Sequence, residues 1–167
     1  MTSNILTTSN LIFSIMTMYT FIHQKYKLAA IFFFISYFFD CADGNYARKY
    51  DMVTNFGDYY DHGVDAFKAI VIYAMLFYIL YVNKQVVIII LLILLIALQF
   101  VQLGCQEKYV EKINPAILSE SLSSLKQLCP DQSHNLQNTL NWTRFLGTGT
   151  LILVTSIIIY NLDKLKK

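Results

Sequence analysis

Hydropathy alone divides the chain into long apolar runs separated by short polar stretches. A first run covers residues 5–22, diluted by Ser, Thr and Asn in its early turns, and ends in the polar patch 23–27. A second begins near residue 28 and passes through Ile31, Phe34 and Phe39 into an acidic stretch. Its apolar part is too short to cross a bilayer, so the helix is predicted to continue past Asp43 and Arg48 before a polar turn over 45–55. A third run starts near Gly57 and closes at Asn83, Lys84 and Gln85; a fourth, 86–103, is an almost unbroken series of Val, Ile and Leu. Residues 104–143 change character: Glu107, Lys108, Glu111, Lys112, Glu120 and Lys126 alternate in sign, and Pro115 and Pro130 punctuate them. That pattern predicts a solvated or interfacial segment with one or two short amphipathic helices. A last run, 145–160, leads to Lys164, Lys166 and Lys167. The expectation is an all-α, polytopic transmembrane helical bundle with five membrane helices and an amphipathic segment, or six if part of 104–143 re-enters the membrane, forming a single domain over residues 1–167.

Composition agrees. At 167 residues, 56% hydrophobic and 14% charged, the chain is too apolar for a soluble domain of its size. The net charge of +2 and the lack of a basic run with interleaved aromatics give no support to nucleic-acid binding. The residues before the first run lack a basic start, so that run is expected to stay as a membrane helix rather than be cleaved. Cys41, Cys105 and Cys129 have no paired spacing, which predicts small buried hydrophobes rather than a disulfide scaffold or a zinc site.

The chemistry concentrates between Asp40 and Asp65. On a helix, Asp40, Asp43, Gly44, Ala47 and Arg48 form one stripe, and Gly57, Asp61 and Asp65 form a second. Unpaired, such acids at the mouths of apolar segments would each cost several kcal/mol. If the stripes face each other, the four carboxylates converge and require hard divalent cations, Mg²⁺ or Mn²⁺. Gly44, Ala47 and Gly57 would then leave a floor bare enough for a phosphorylated ligand to approach the backbone. Arg48 could hold a phosphate oxygen through its planar fork, or pair with one of the acids. Lys68, three residues after Asp65, could face the same stripe and keep Asp65 ionised, or could snorkel to the interface. Arg144 could meet an anionic acceptor or headgroup, although an arginine at a helix end is common at membrane interfaces.

Written as D-x2-D-G-x2-A-R-x8-G-x3-D-x3-D, this stretch resembles the signature of the CDP-alcohol phosphotransferase family at every fixed position. Upstream, Asn4, Leu6 and Thr7 are similar to the Asn-x-Leu-Thr that opens the family's first helix, although Asn10 stands where many members have arginine. The resemblance implies a membrane transferase, usually of six helices and dimeric, that moves a substituted phosphate from a CDP-linked donor to an alcohol with release of CMP. It implies Asp65 as general base; Asp40, Asp43, Asp61 and Asp65 as metal ligands; and Asn4, Asp43, Gly44, Ala47, Arg48 and Gly57 around the CDP moiety. The compact length favours CDP-diacylglycerol with a soluble alcohol. Asp61-His62-Gly63 favours CDP-choline or CDP-ethanolamine with diacylglycerol as acceptor. Arg48 and Lys49 place the motif, and with it the segment 104–143, on the cytoplasmic side. Five crossings would then leave the lysine-rich tail outside, against the positive-inside tendency. A cation transporter or channel subunit would also explain intramembrane acids, but not the small residues at these offsets. A scaffold that retains the motif without activity is a further alternative.

Overall fold

A computed structural model describes residues 3–50, 55–113, 123–130 and 136–165, all helix or connecting turn. Four long helices come first: α1 (Ser3–Ile22), α2 (Tyr26–Lys49), α3 (Asn55–Val82) and α4 (Val86–Ile113). A 3₁₀ helix (Ser123–Leu128), α5 (Leu136–Thr143), a second 3₁₀ turn (Arg144–Leu146), α6 (Thr148–Tyr160) and α7 (Leu162–Leu165) complete the order. Five spans are long and apolar enough to cross a membrane, as expected: Ile5–Ile22, Tyr26–Tyr46, His62–Val82, Val86–Ile113 and Thr139–Tyr160. The chain is therefore a multi-pass membrane protein. As expected, α2 continues past Asp43 and Arg48, ending at Lys49, so the polar turn begins later than residue 45. One boundary differs from the expectation: α4 runs past residue 103 to Ile113, carrying the first charges of the alternating segment on its last turns.

The chain divides into two compact units, residues 1–89 with 153–167, and residues 90–152. In the first, α1 packs along α2 and also touches α3. Its pattern is inverted relative to a soluble helix. Thr7, Asn10, Ser14 and Thr17 are buried, whereas Ile5, Ile12, Ile15 and Tyr19 are exposed. Lipid tails are as apolar as leucine, so small and polar side chains mark the packed face of a membrane helix. The hydroxyls of Ser14, Thr17 and Thr20 donate to carbonyls one turn back, at 2.8 Å each, which satisfies them without water. The same dilution that weakens this span in a hydropathy profile is its packing surface. On α3, Val64, Lys68, Ile72, Leu76 and Leu80 recur every four residues as the buried ridge. The Tyr73 hydroxyl meets Thr155 of α6 at 3.1 Å.

Two connections in this unit share one construction. Lys25 N–H donates to the Thr20 carbonyl and Gln24 N–H to Phe21; Gln85 N–H donates to Leu80 and Lys84 N–H to Tyr81. These are Schellman pairs, with Gln24 at φ 58° and Lys84 at φ 56° in the left-handed position usually given to glycine.

In the second unit the 3₁₀ helix lies against α4. A Cβ on Gly104 would stand 2.1 Å from the Leu125 carbonyl oxygen, so only glycine admits this approach. Beside it Cys105 and Cys129 form a disulfide across 24 residues, with Cα atoms 4.8 Å apart, and Tyr109 and Leu140 pack on it. Lys126 pairs with Glu111 at 2.9 Å. The disulfide corrects the reading of all three cysteines as unpaired hydrophobes: two are bonded, and Cys41 is a free, exposed thiol. The pairing depends on Gly104 admitting the 3₁₀ backbone, a long-range approach that cysteine spacing does not encode. Disulfides belong to oxidising compartments, which is at odds with a cytoplasmic location for this segment.

Candidate active site

The acids of the motif sit near the end of α2 and the start of α3, and α1 brings a third wall. Asp43 is 3% exposed, and one of its carboxylate oxygens accepts a hydrogen bond from the Thr7 hydroxyl. One turn earlier on α2, Asp40 accepts from Asn10 Nδ2 at 3.0 Å. The same amide nitrogen donates to Asp65 of α3 at 3.3 Å. Asn10 Oδ1 accepts from Lys68 Nζ at 3.3 Å, and the Ser14 hydroxyl, whose proton is directed to the Asn10 backbone carbonyl, lies 3.4 Å from it. The amide therefore turns its two donors to anions and its acceptor to a cation.

Lys68 completes the group. Its ammonium lies 2.7 Å from Asp65 and 3.6 Å from Asp40, with its side chain 8% exposed. Of the two roles open to it, facing the acids or reaching for the interface, the first is the one adopted. A buried lysine in a membrane helix is expensive alone, and two carboxylates and an amide oxygen supply the charge and hydrogen bonds it needs. Asp40, Asp65, Asn10 and Lys68 are thus one connected polar group spanning three helices.

The expected residues divide as follows. Asp40, Asp43 and Asp65 are on these helices with the contacts given, and Gly44 follows Asp43 on α2, half-buried. The side chains of Asn4, Ala47, Arg48, Asp61 and the position of Gly57 on its helix face lie outside the described residues. Among the described residues no three His, Cys, Asp or Glu side chains gather closely enough to hold a metal ion. The donor chemistry nonetheless fits a hard divalent cation, since Asp40, Asp43 and Asp65 offer only carboxylate oxygens. Asn10 and Ser14 are members of the group that sequence reading did not assign. A signal for them existed: Thr7, Asn10, Ser14 and Thr17 share one face of a span that is otherwise apolar.

The model of a family described as CDP-alcohol phosphatidyltransferase matches residues 1–129, which include all of α1, α2 and α3. No curated protein and no solved structure matches the chain.

Proposed function

We propose, from the premise that the chain belongs to the CDP-alcohol phosphatidyltransferase family, that Asp65 is the base of its transfer reaction. The reaction class itself follows from membership. The protein is a membrane transferase of phospholipid metabolism that moves a substituted phosphate from a CDP-linked donor to an alcohol. In our reading the acceptor hydroxyl gives its proton to a carboxylate oxygen of Asp65 as its oxygen bonds to the phosphorus distal to cytidine. The bond from that phosphorus to the bridging oxygen breaks, and CMP leaves. The observation that carries this assignment is the Asn10 amide, which ties Asp40 of one stripe to Asp65 of the other. It supports the premise that the two stripes face a common space.

The family is metal-dependent. Mg²⁺ or Mn²⁺ on Asp40, Asp43 and Asp61, with Asp65 as a further ligand, would neutralise charge on the pyrophosphate. Asp43, Gly44, Ala47, Arg48, Gly57 and Asn4 are proposed to surround the CDP moiety, with Arg48 on a phosphate oxygen. The favoured donor is CDP-diacylglycerol, with a soluble alcohol as acceptor. CDP-choline or CDP-ethanolamine with diacylglycerol is the second reading, favoured by Asp61-His62-Gly63. A homodimer is proposed as the assembly.

The deciding experiment separates base from metal ligand. Asp65→Asn should keep most affinity for CDP and Mn²⁺ while single-turnover CMP release falls by roughly 10²-fold or more. Asp43→Asn should weaken metal and nucleotide binding together. Normal turnover by Asp65→Asn, or undiminished binding by Asp43→Asn with failed chemistry, would reverse the roles. We place the motif on the cytoplasmic face from Arg48 and Lys49. Cysteine introduced at the exposed Asn45, in a Cys41→Ser background, should then react with impermeant maleimide from the inside only. Labelling from the outside is the result that the Cys105–Cys129 disulfide favours.

A further inference from the structure

The second unit contains a cleft of about 350 Å³ lined by Gln102, Gln106, Tyr109, Leu140, Asn141 and Arg144. Gln102, Gln106 and Tyr109 recur at helical spacing on one face of α4, and Leu140, Asn141 and Arg144 do so across α5 and the turn that follows it. The lining has one cation, three amides and a phenol, and no acid. Of the two acids on this stretch of α4, Glu111 pairs with Lys126, and Glu107, beside Gln106, does not line the cleft. Among the described residues no carboxylate lies within ion-pair distance of Arg144.

Depth in the membrane narrows the choice of ligand. Arg144 lies near the start of the span Thr139–Tyr160, between Trp142 and Phe145, which are 79% and 70% exposed. Exposed aromatic rings at the end of a span sit at the level of lipid headgroups. A guanidinium there faces phosphates, to which its planar fork is matched. Amides and a phenol beside it suit the glycerol and ester oxygens that accompany a lipid phosphate. The volume falls at the small end of ligand clefts, enough for a headgroup and not for acyl chains.

We propose that this cleft binds the headgroup phosphate of an anionic phospholipid, with Arg144 on the phosphate and Gln102, Gln106, Asn141 and Tyr109 as hydrogen-bonding partners. The disulfide supports it from behind. Tyr109 and Leu140 line the cleft and also pack on Cys105 and Cys129, so the bond fixes the position of both walls. None of these residues belongs to the acid motif.

Trp142, the only tryptophan in the chain, makes the test direct. The full chain in neutral detergent is titrated with short-chain phosphatidylglycerol, with phosphatidylcholine of the same chain length, and with inorganic phosphate, while Trp142 fluorescence is followed. Saturable binding of phosphatidylglycerol is expected, at least fivefold tighter than that of phosphatidylcholine. It should weaken at least fivefold in Arg144→Gln and less in Arg144→Lys. Gln106→Leu gives a second variant on the opposite wall, with the same direction expected, and reduction of the disulfide should weaken binding while Cys41→Ser does not. Equal affinity for the two lipids, or unchanged binding in both Arg144→Gln and Gln106→Leu, overturns the proposal. If inorganic phosphate saturates the signal as tightly as the lipid does, the cleft recognises a free phosphate and the lipid assignment fails.

Discussion

Replacing Lys68 by methionine keeps the length of the side chain and removes its charge, which leaves Asp40 and Asp65 linked through the Asn10 amide without a counter-ion. Truncating one partner of a buried ion pair costs about 3–5 kcal/mol because the other charge remains buried. Here the carboxylates are not fully dry: the Asp40 side chain is 17% exposed and that of Asp65 is 37% exposed. Water at Asp65 offsets part of the loss, so we expect Lys68→Met to destabilise the protein by about 2–3 kcal/mol. Reversible unfolding in mixed micelles, followed by circular dichroism, would measure it. The two substitutions should also couple. Asp65→Asn removes one of the two stranded charges, so the double variant Asp65→Asn, Lys68→Met should be more stable than the sum of the single losses by about 1 kcal/mol or more. A Lys68→Met protein within 0.5 kcal/mol of the parent, or strictly additive variants, would refute the view of Lys68 as the internal counter-charge.

Chelation should abolish CMP release, and added Mg²⁺ or Mn²⁺ should restore it, as a single-turnover assay would show. Gln24→Gly and Lys84→Gly should each stabilise the protein by about 0.5 kcal/mol, because relief of the left-handed backbone exceeds the entropy that glycine adds to the unfolded chain; a loss in both would count against the Schellman geometry. Gly104→Ala places a methyl carbon 2.1 Å from the Leu125 carbonyl oxygen and should displace the 3₁₀ helix. Counting alkylated thiols by mass spectrometry should then find Cys105 and Cys129 reactive alongside Cys41, the one free thiol of the parent.

Much of the architecture was legible because the apolar runs are long and their ends polar. The spans Ile5–Ile22 and Val86–Ile113 begin where the pattern places them, and α2 carries Asp43 past its apolar part as its length demanded. The acids were legible because charge in a membrane helix is rare enough to stand out. Asn10 was not. Compared with the family's arginine it reads as a defect, and only the approach of α2 and α3 to one face of α1 reveals an amide shared by Asp40, Asp65 and Lys68. Lys68 illustrates the same limit, since its spacing permits both the ion pair and the interface, and packing makes the choice. The Cys105–Cys129 bond was illegible for a third reason: it joins α4 to a coil 24 residues away through a contact that only Gly104 makes room for.

The pair of matched turns bears on how the chain enters a bilayer. Between α1 and α2, and again between α3 and α4, only residues 23–25 and 83–85 lie outside helix. Each turn already satisfies its own backbone through paired bonds to the preceding helix. A helical hairpin built this way can enter as a unit, and that of α1 packed along α2 carries one polar tip, with Lys25 and Lys27, across the hydrocarbon. The ends that stay behind are those bearing Thr7 and Asn10 on α1 and Asp40 and Asp43 on α2. Hairpin entry therefore spares these two acids a passage through lipid, and they meet their partners on the face at which the chain arrived.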